Sequence, residues 1–236
     1  MLFPLAAATA TSLPAGQSFF SNMPVLPNGN QVSLALGSLS ECETGGRLWP
    51  SAVSLCRHML QLEELQGCSV VELGCGTGAV GIFAAAMGAG KVVLSDGQEA
   101  VLRLAEQNVL ANGERGLWSP ASTQVTIEKV FWGTPCQLSD VDLVLGSGVT
   151  YSSDLHKPLC HTLEQLLHPT SRAILAHEKR VPIPVGQTEQ QTPDTVLEHF
   201  VSTAEAANLS VQTIDEERQG GRLMSLLEVR KRIRKD

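Results

Sequence analysis

The sequence predicts a doubly wound α/β domain: a mostly parallel sheet, helices on both faces, and an antiparallel hairpin at its C-terminal end. Three observations carry this. Short runs rich in valine, isoleucine and leucine alternate with helical patterns from residue 69 to about residue 208, and strands that alternate with helices pair in parallel. The first run, VVELGCGTGAVG at 70–81, passes directly from a strand into a glycine turn and a helix. The last two runs, LSVQTI and GRLMSLLEV, are separated by Gly220–Gly221 and no helix, which makes them antiparallel neighbours.

In chain order, Asn28–Gly29 between the apolar VLP and the alternating QVSLAL signals a β-hairpin in an N-terminal extension, residues 1–44. The main domain is expected over 45–236. It opens with GGRLWPSAVSLCRHML, where Pro50 suits a first helical turn and Val53, Leu55, Cys56, Met59 and Leu60 recur at helical spacing. Strands follow at 69–73, 91–96, 124–130, 141–146 and 172–177. Helices are expected over 78–88, over 98–111 with Asn112–Gly113 as its C-cap, around Leu159–Leu167, and from Thr192–Pro193 to about Asn208. Counting the closing pair, the sheet has seven strands.

Composition narrows the function classes. The chain of 236 residues has 43% hydrophobic and 17% charged residues, ordinary values for a soluble globular domain. No run approaches the ~18 apolar residues of a membrane span. The first forty residues carry no charge, so MLFPLAAATA lacks the basic region of a signal peptide and the arginines of a transit peptide. The six cysteines form no CxxC pair, which points away from zinc and from a disulfide framework. Cys75 and Cys160 read as small buried residues. The tail RKRIRKD holds five bases and one acid, +4 against −7 for the chain, which leaves −11 for residues 1–229. An acidic body is a poor match for duplex nucleic acid. A monomer in the cytoplasm, with the nucleus second, is the expected setting.

Residues 76–81, GTGAVG, match the G-x-G-x-x-G pattern that opens nucleoside-binding turns. Glycines permit positive φ and close backbone approach, and the following helix presents free N–H groups. Such a turn calls for an acid at the end of the next strand to accept from both ribose hydroxyls. Asp96 ends KVVLSD, 22 residues after Gly74, close to the ~20-residue spacing of that arrangement. Glu72 lies within the strand just ahead of the glycines. A carboxylate there is misplaced beside a pyrophosphate but suits a cationic ligand, or serves to order the turn.

The stretch ELGCGTG resembles motif I of the class I methyltransferases, which bind S-adenosylmethionine. GGRLWPSA (45–52), LSDGQEAVL, N-x-x-x-N at Asn108 and Asn112, FWG (131–133) and DLVLGSGVTY (142–151) follow in the order seen in the family 16 seven-β-strand protein methyltransferases, mostly lysine methyltransferases. The resemblance spans about residues 45–230 and implies a Rossmann-like sheet and transfer of a methyl group to a side-chain nitrogen of a protein substrate. It assigns Gly74, Gly76 and Gly78 to the cofactor turn, with Glu72 beside them and Asp96 on the ribose. Trp132 is expected against the adenine, and Trp49 along the site, where an aromatic face stabilises a sulfonium.

The fourth motif departs from that family. The usual acid-V-x-Y reads G-V-T-Y here, with Gly148 in the acid's place and Tyr151, the chain's single tyrosine, retained. Tyr151 is expected to hold the incoming amine. Asp154, three residues on, and Glu178, at the end of the fifth strand, are the candidates for the missing charge. The proline- and glutamine-rich loop 181–191 is a candidate substrate contact. Two rival readings remain at this level: a methyltransferase-like protein that binds without catalysis, suggested by Gly148, and a nicotinamide-dependent oxidoreductase, which leaves Glu72 and the closing hairpin unexplained.

Overall fold

The computed structural model describes residues 23–62, 65–180, 192–219 and 221–232. The loop 181–191, most of the apolar N-terminus and the last four residues of the basic tail lie outside the described residues. Seven strands form one sheet: β1 (Ser69–Leu73), β2 (Lys91–Asp96), β3 (Gln124–Lys129), β4 (Leu143–Ser147), β5 (Arg172–Glu178), β6 (Leu209–Gln219) and β7 (Arg222–Lys231). Their order is β3-β2-β1-β4-β5-β7-β6. The first five pair in parallel, and β7 runs antiparallel to both β5 and β6. The order reverses between β1 and β4, and open α/β sheets leave their crevice at such a point, outside the carboxyl ends of the strands.

Side-chain alternation divides the core between the two faces. Val70, Val92, Leu94, Leu143, Leu145 and Ile174 point to one side, with α2 (Pro50–Met59), α3 (Ala79–Ala86) and α4 (Glu99–Glu114). Val71, Val93, Val144, Ala173 and Leu175 point to the other, with α5 (His156–Leu166) and α6 (Thr195–Ala206). Helix α3, AVGIFAAA, is buried on all sides except its last residue, as an all-apolar helix must be. Pro50 is the first residue of α2. Asp194 caps α6 by accepting from the Leu197 N–H at 3.0 Å. The outer strand β6 is guarded by Asp215, Glu216, Glu217 and Arg218, charges that discourage edge-to-edge pairing.

Three expectations change. The N-terminal hairpin shrinks to a tight turn at Asn28–Gly29 and a single antiparallel bridge, Val25 to Gln31. The segment after it finds other partners: the Asn112 amide accepts from Ser33 N–H and donates to Ser33 C=O, and Asn108 does the same for Ala35. Two asparagines one helical turn apart lie on one face and replace a partner strand. Consequently Asn112–Gly113 does not end α4, which runs on to Glu114; the left-handed residue past the helix is Gly116, φ 72°. A short helix, α1 (Leu39–Cys42), was not expected. Met23, Leu26, Val32 and Leu34 share the α2–α3–α4 side of the core, so the described part of the extension packs with the domain.

A candidate cofactor and acceptor site

The turn after β1 is shaped by residues without side chains. Gly74, Gly76 and Gly78 have φ of 63°, 53° and 79°, the left-handed region where a Cβ is strained. Space forbids a side chain as well. A Cβ on Gly74 would lie 2.9 Å from Val149 and 3.1 Å from Trp132; on Gly76, 2.9 Å from the carbonyl oxygen of Gly45; on Gly78, 2.7 Å from Leu94. The turn is thus wedged between the fourth-motif loop, the 130–133 segment and the N-terminal segment.

Glu72 shares the face of Val70, under the N-terminus of α3, and is 1% exposed. Its Oε2 accepts the Gly81 N–H at 2.7 Å. Gly81 has to be glycine for this, because a Cβ would stand 2.8 Å from that oxygen. Burial pushes the Glu72 carboxyl up to about 8; the N–H groups of Gly81 and Val80 pull it back and nearby Asp96 raises it further. Of the two roles expected for Glu72, the geometry gives the ordering of the turn. Asp96, across the turn, accepts from Gly76 N–H at 3.3 Å and Gln98 N–H at 3.1 Å. Burial also raises its carboxyl, offset by the hydrogen bonds from Gln98 and Gly76. A carboxylate has about four acceptor positions, so Asp96 keeps capacity for a diol. Asn108 adds a further tie, donating to the Thr77 carbonyl at 2.9 Å while it holds Ala35.

These groups border a cavity of about 410 Å³, within the range of small-molecule sites. Its lining brings together Trp49, Glu72, Gly74, Gly76, Asp96, Trp132, Gly148 and Tyr151. Gly78 stands behind them as the N-cap of α3. Cys75 lines the cavity too, but burial drives its thiol far up, and burial takes the Cys160 thiol to about 12. Neither is a thiolate, so neither is a nucleophile.

The fourth-motif loop is held from behind by a polar chain whose inner members, Thr150, His156 and His177, are buried. His156 Nε2 meets the Thr150 carbonyl at 2.9 Å and its Nδ1 meets His199 Nδ1 at 2.8 Å. A carbonyl only accepts, so Nε2 carries the proton and His199 donates to Nδ1 of the neutral ring. Burial lowers the His156 pKa, which favours the uncharged ring. His177 Nε2 lies 3.0 Å from Asp194 and its Nδ1 lies 2.7 Å from the Thr150 hydroxyl. Burial raises the Asp194 carboxyl, but the bonds from His177 and Leu197 outweigh it and leave the pKa lowered. Tyr151, next to Thr150, is half exposed on the cavity side.

Two expected carboxylates lie elsewhere. Asp154 is exposed on the single-turn 3-10 helix Ser153–Leu155 and is not a lining residue. Glu178 is buried and tied to Arg180 at 2.9 Å and to Arg222. Sequence reasoning missed Arg180, whose guanidinium sits 4.7 Å from the Trp49 ring centre and 5.9 Å from that of Tyr151. It also missed Arg47, 5.9 Å from Trp49 on the same cavity, and Phe131, which packs beside Gly97. A base two residues before Trp49 was a visible signal; nothing marked Arg180.

Residues 30–195 match the profile of a family described as lysine methyltransferase. The chain belongs to that family. It is 35% identical over 133 residues to the protein N-lysine methyltransferase METTL21A of Mus musculus, an alignment covering 55% of this chain and 58% of that protein. It is 32% identical over 155 residues to the EEF1A lysine methyltransferase 3 of the same species, covering 64% and 63%. A calmodulin-lysine N-methyltransferase of Arabidopsis thaliana is 32% identical over 142 residues, 56% of this chain and 44% of that protein. The chain thus spans about three fifths or less of these relatives. Among solved structures, the ribosomal protein L11 methylase of Lactobacillus delbrueckii subsp. bulgaricus superposes with a TM-score of 0.56 at 18% identity, covering 90% and 91% of the two chains. The magnesium protoporphyrin IX methyltransferase of Synechocystis PCC 6803, solved with bound SAH, gives 0.55 at 17%, covering 81% and 86%. At these identities the likenesses show the fold alone.

Proposed function

We propose that the chain is an S-adenosylmethionine-dependent methyltransferase acting on a lysine side chain of a protein substrate. The observation that carries this is the cavity itself. Gly74 and Gly76, which have no room for a Cβ, an acid with spare acceptor positions, two tryptophans and Tyr151 line one cavity, within a lysine methyltransferase family.

The residues present fit the cofactor. Asp96 would take the ribose hydroxyls, the 74–78 turn would approach the nucleoside, Trp132 would lie along the base, and Trp49 would face the sulfonium. When bound, the cofactor supplies an activated methyl group for in-line displacement. This chain contributes alignment, worth effective molarities of roughly 10⁵–10⁸ M in well-oriented reactions, and an environment that keeps the amine neutral. A free lysine has a pKa of about 10.4. Removal from water and a neighbouring cation both lower it, and Arg180 places such a cation over Tyr151. Tyr151 then orients the amine without acting as a strong base.

The second reading, a protein that binds the cofactor without catalysis, is favoured by Gly148 and by the position of Asp154 outside the lining. The nicotinamide reading falls with the family membership. A cytoplasmic monomer remains our working expectation. The deciding experiment is methyl transfer from labelled S-adenosylmethionine into a lysate of cells lacking this protein, followed by mass spectrometry of the labelled band. A labelled lysine supports catalysis; no label from protein that binds the cofactor supports the second reading.

A further inference from the structure

Around Trp49 and Tyr151 the cavity lining includes Arg47, Gly148, Leu155 and Arg180, and among the described residues its carboxylates are Glu72 and Asp96. The two lining acids, Glu72 and Asp96, belong to the cofactor turn and are engaged by its backbone N–H groups. A mouth made for a cation alone would carry the opposite sign. Among the described residues Arg47 pairs with no carboxylate; its one recorded partner is the Trp49 ring. Glu178 is shared by Arg180 and Arg222, so that group keeps a net positive charge. Asp154, on the turn beside Leu155, is exposed outside the lining. Among the described residues the surroundings of Trp49 are therefore basic, with Glu43, held by the lining Gln98, as the neighbouring acid, on a chain of net charge −7.

The arginines are also preorganised. A guanidinium over a ring keeps edge N–H groups available to a carboxylate, although Arg180 already donates one of its own, from Nη2, to Glu178 at 2.9 Å. Arg47 and Arg180 both approach the Trp49 ring, whose indole N–H is fixed to the Thr44 carbonyl at 3.1 Å. Arg180 also lies 5.9 Å from the Tyr151 ring centre, so a substrate segment that reaches Tyr151 would pass beside it.

Building on the lysine-methyltransferase reading, we propose that the acceptor is an acidic protein segment. Aspartate or glutamate residues flanking the target lysine dock on Arg47 and Arg180 and bring the amine to Tyr151. Charges at a rim act mainly on encounter rate and salt dependence, so recognition weakens as ionic strength rises.

The test uses the full chain saturated with S-adenosylhomocysteine and three fluorescent peptides, each with one lysine flanked by glutamates, serines or arginines. Fluorescence anisotropy is expected to show the glutamate peptide binding about tenfold tighter than the serine peptide, with the gap closing in high salt. Arg47→Gln and Arg180→Gln should each shrink that gap, and Arg180→Lys, which keeps the charge without the planar fork, should fall between the wild type and Arg180→Gln. Melting temperature and cofactor affinity verify that the variants fold. Equal affinities, tighter binding of the arginine peptide, or Arg180→Lys as impaired as Arg180→Gln would overturn the proposal. Label transfer separates it from the reading beneath it. Charge-dependent docking without methylation keeps the docking surface and removes the lysine reading; methylation of all three peptides at equal affinity does the reverse.

Discussion

The Glu72 side chain accepts the Gly81 N–H at 2.7 Å from beneath α3, so a strand residue performs the work of a helix cap for a turn that has only glycine at the N-cap. Its proton is bound more tightly in the folded state, about 8, than at the ordinary value of 4.5. Over that window the native chain holds more protons than the unfolded one, so this group makes stability fall as pH rises. Glu72→Gln removes the titration. Thermal melts should show the variant gaining on the wild type from pH 5 to pH 9; a constant difference would mean that Glu72 does not titrate in that range.

Asn108 links Ala35 to Thr77 through three hydrogen bonds. Asn108→Ala leaves those backbone groups unpaired in the interior and should cost about 2–4 kcal/mol in urea denaturation. Because Thr77 belongs to the glycine turn, cofactor affinity should fall as well. A loss of stability alone would uncouple the N-terminal segment from the site.

Tyr151 sits beside Thr150, which His156 and His177 fix from behind. Tyr151→Phe keeps the ring and removes the hydroxyl. Transfer to a lysine substrate should slow by ten- to a hundredfold, of the order of a hydrogen bond to a charged or developing charge, with cofactor affinity unchanged. Untouched turnover would put the amine elsewhere.

Gly148→Asp tests the departure in the fourth motif. The position has φ 63°, which aspartate tolerates better than most residues, at a cost of about 1–2 kcal/mol. The new Cβ would lie 3.3 Å from the Ser51 hydroxyl, a buried group with no hydrogen-bond partner among the described residues. A carboxylate there should lower the KM for lysine peptides several-fold; a variant that folds and binds cofactor with an unchanged KM would show that the acid is dispensable.

What could be read in advance follows the range of the interactions. The strands at 69–73 and 91–96, the glycine turn and Asp96 are local patterns whose physical reasons lie within a few residues of each other. The N-terminal hairpin is cut down to one bridge because the segment after its turn pairs with the asparagine face of α4, 79 residues away for Ser33 and Asn112. The i,i+4 spacing of those asparagines was visible; what it would grip was not. Arg180 joins the site only because the order β1-β4-β5 brings the end of β5 beside the fourth-motif loop. Asp154 failed for the opposite reason, since three residues of separation say nothing about which way a single-turn helix presents a side chain.

The central claim is that the 74–78 turn and Asp96 hold S-adenosylmethionine. Titration calorimetry of S-adenosylhomocysteine into the wild type and Asp96→Ala tests it most directly. One site in the wild type, weakened by about 2–4 kcal/mol or roughly 30- to 1,000-fold in the variant, with the ligand-free variant still melting cooperatively, is the expected result. Equal affinity in the two proteins, or no binding to either, would contradict it.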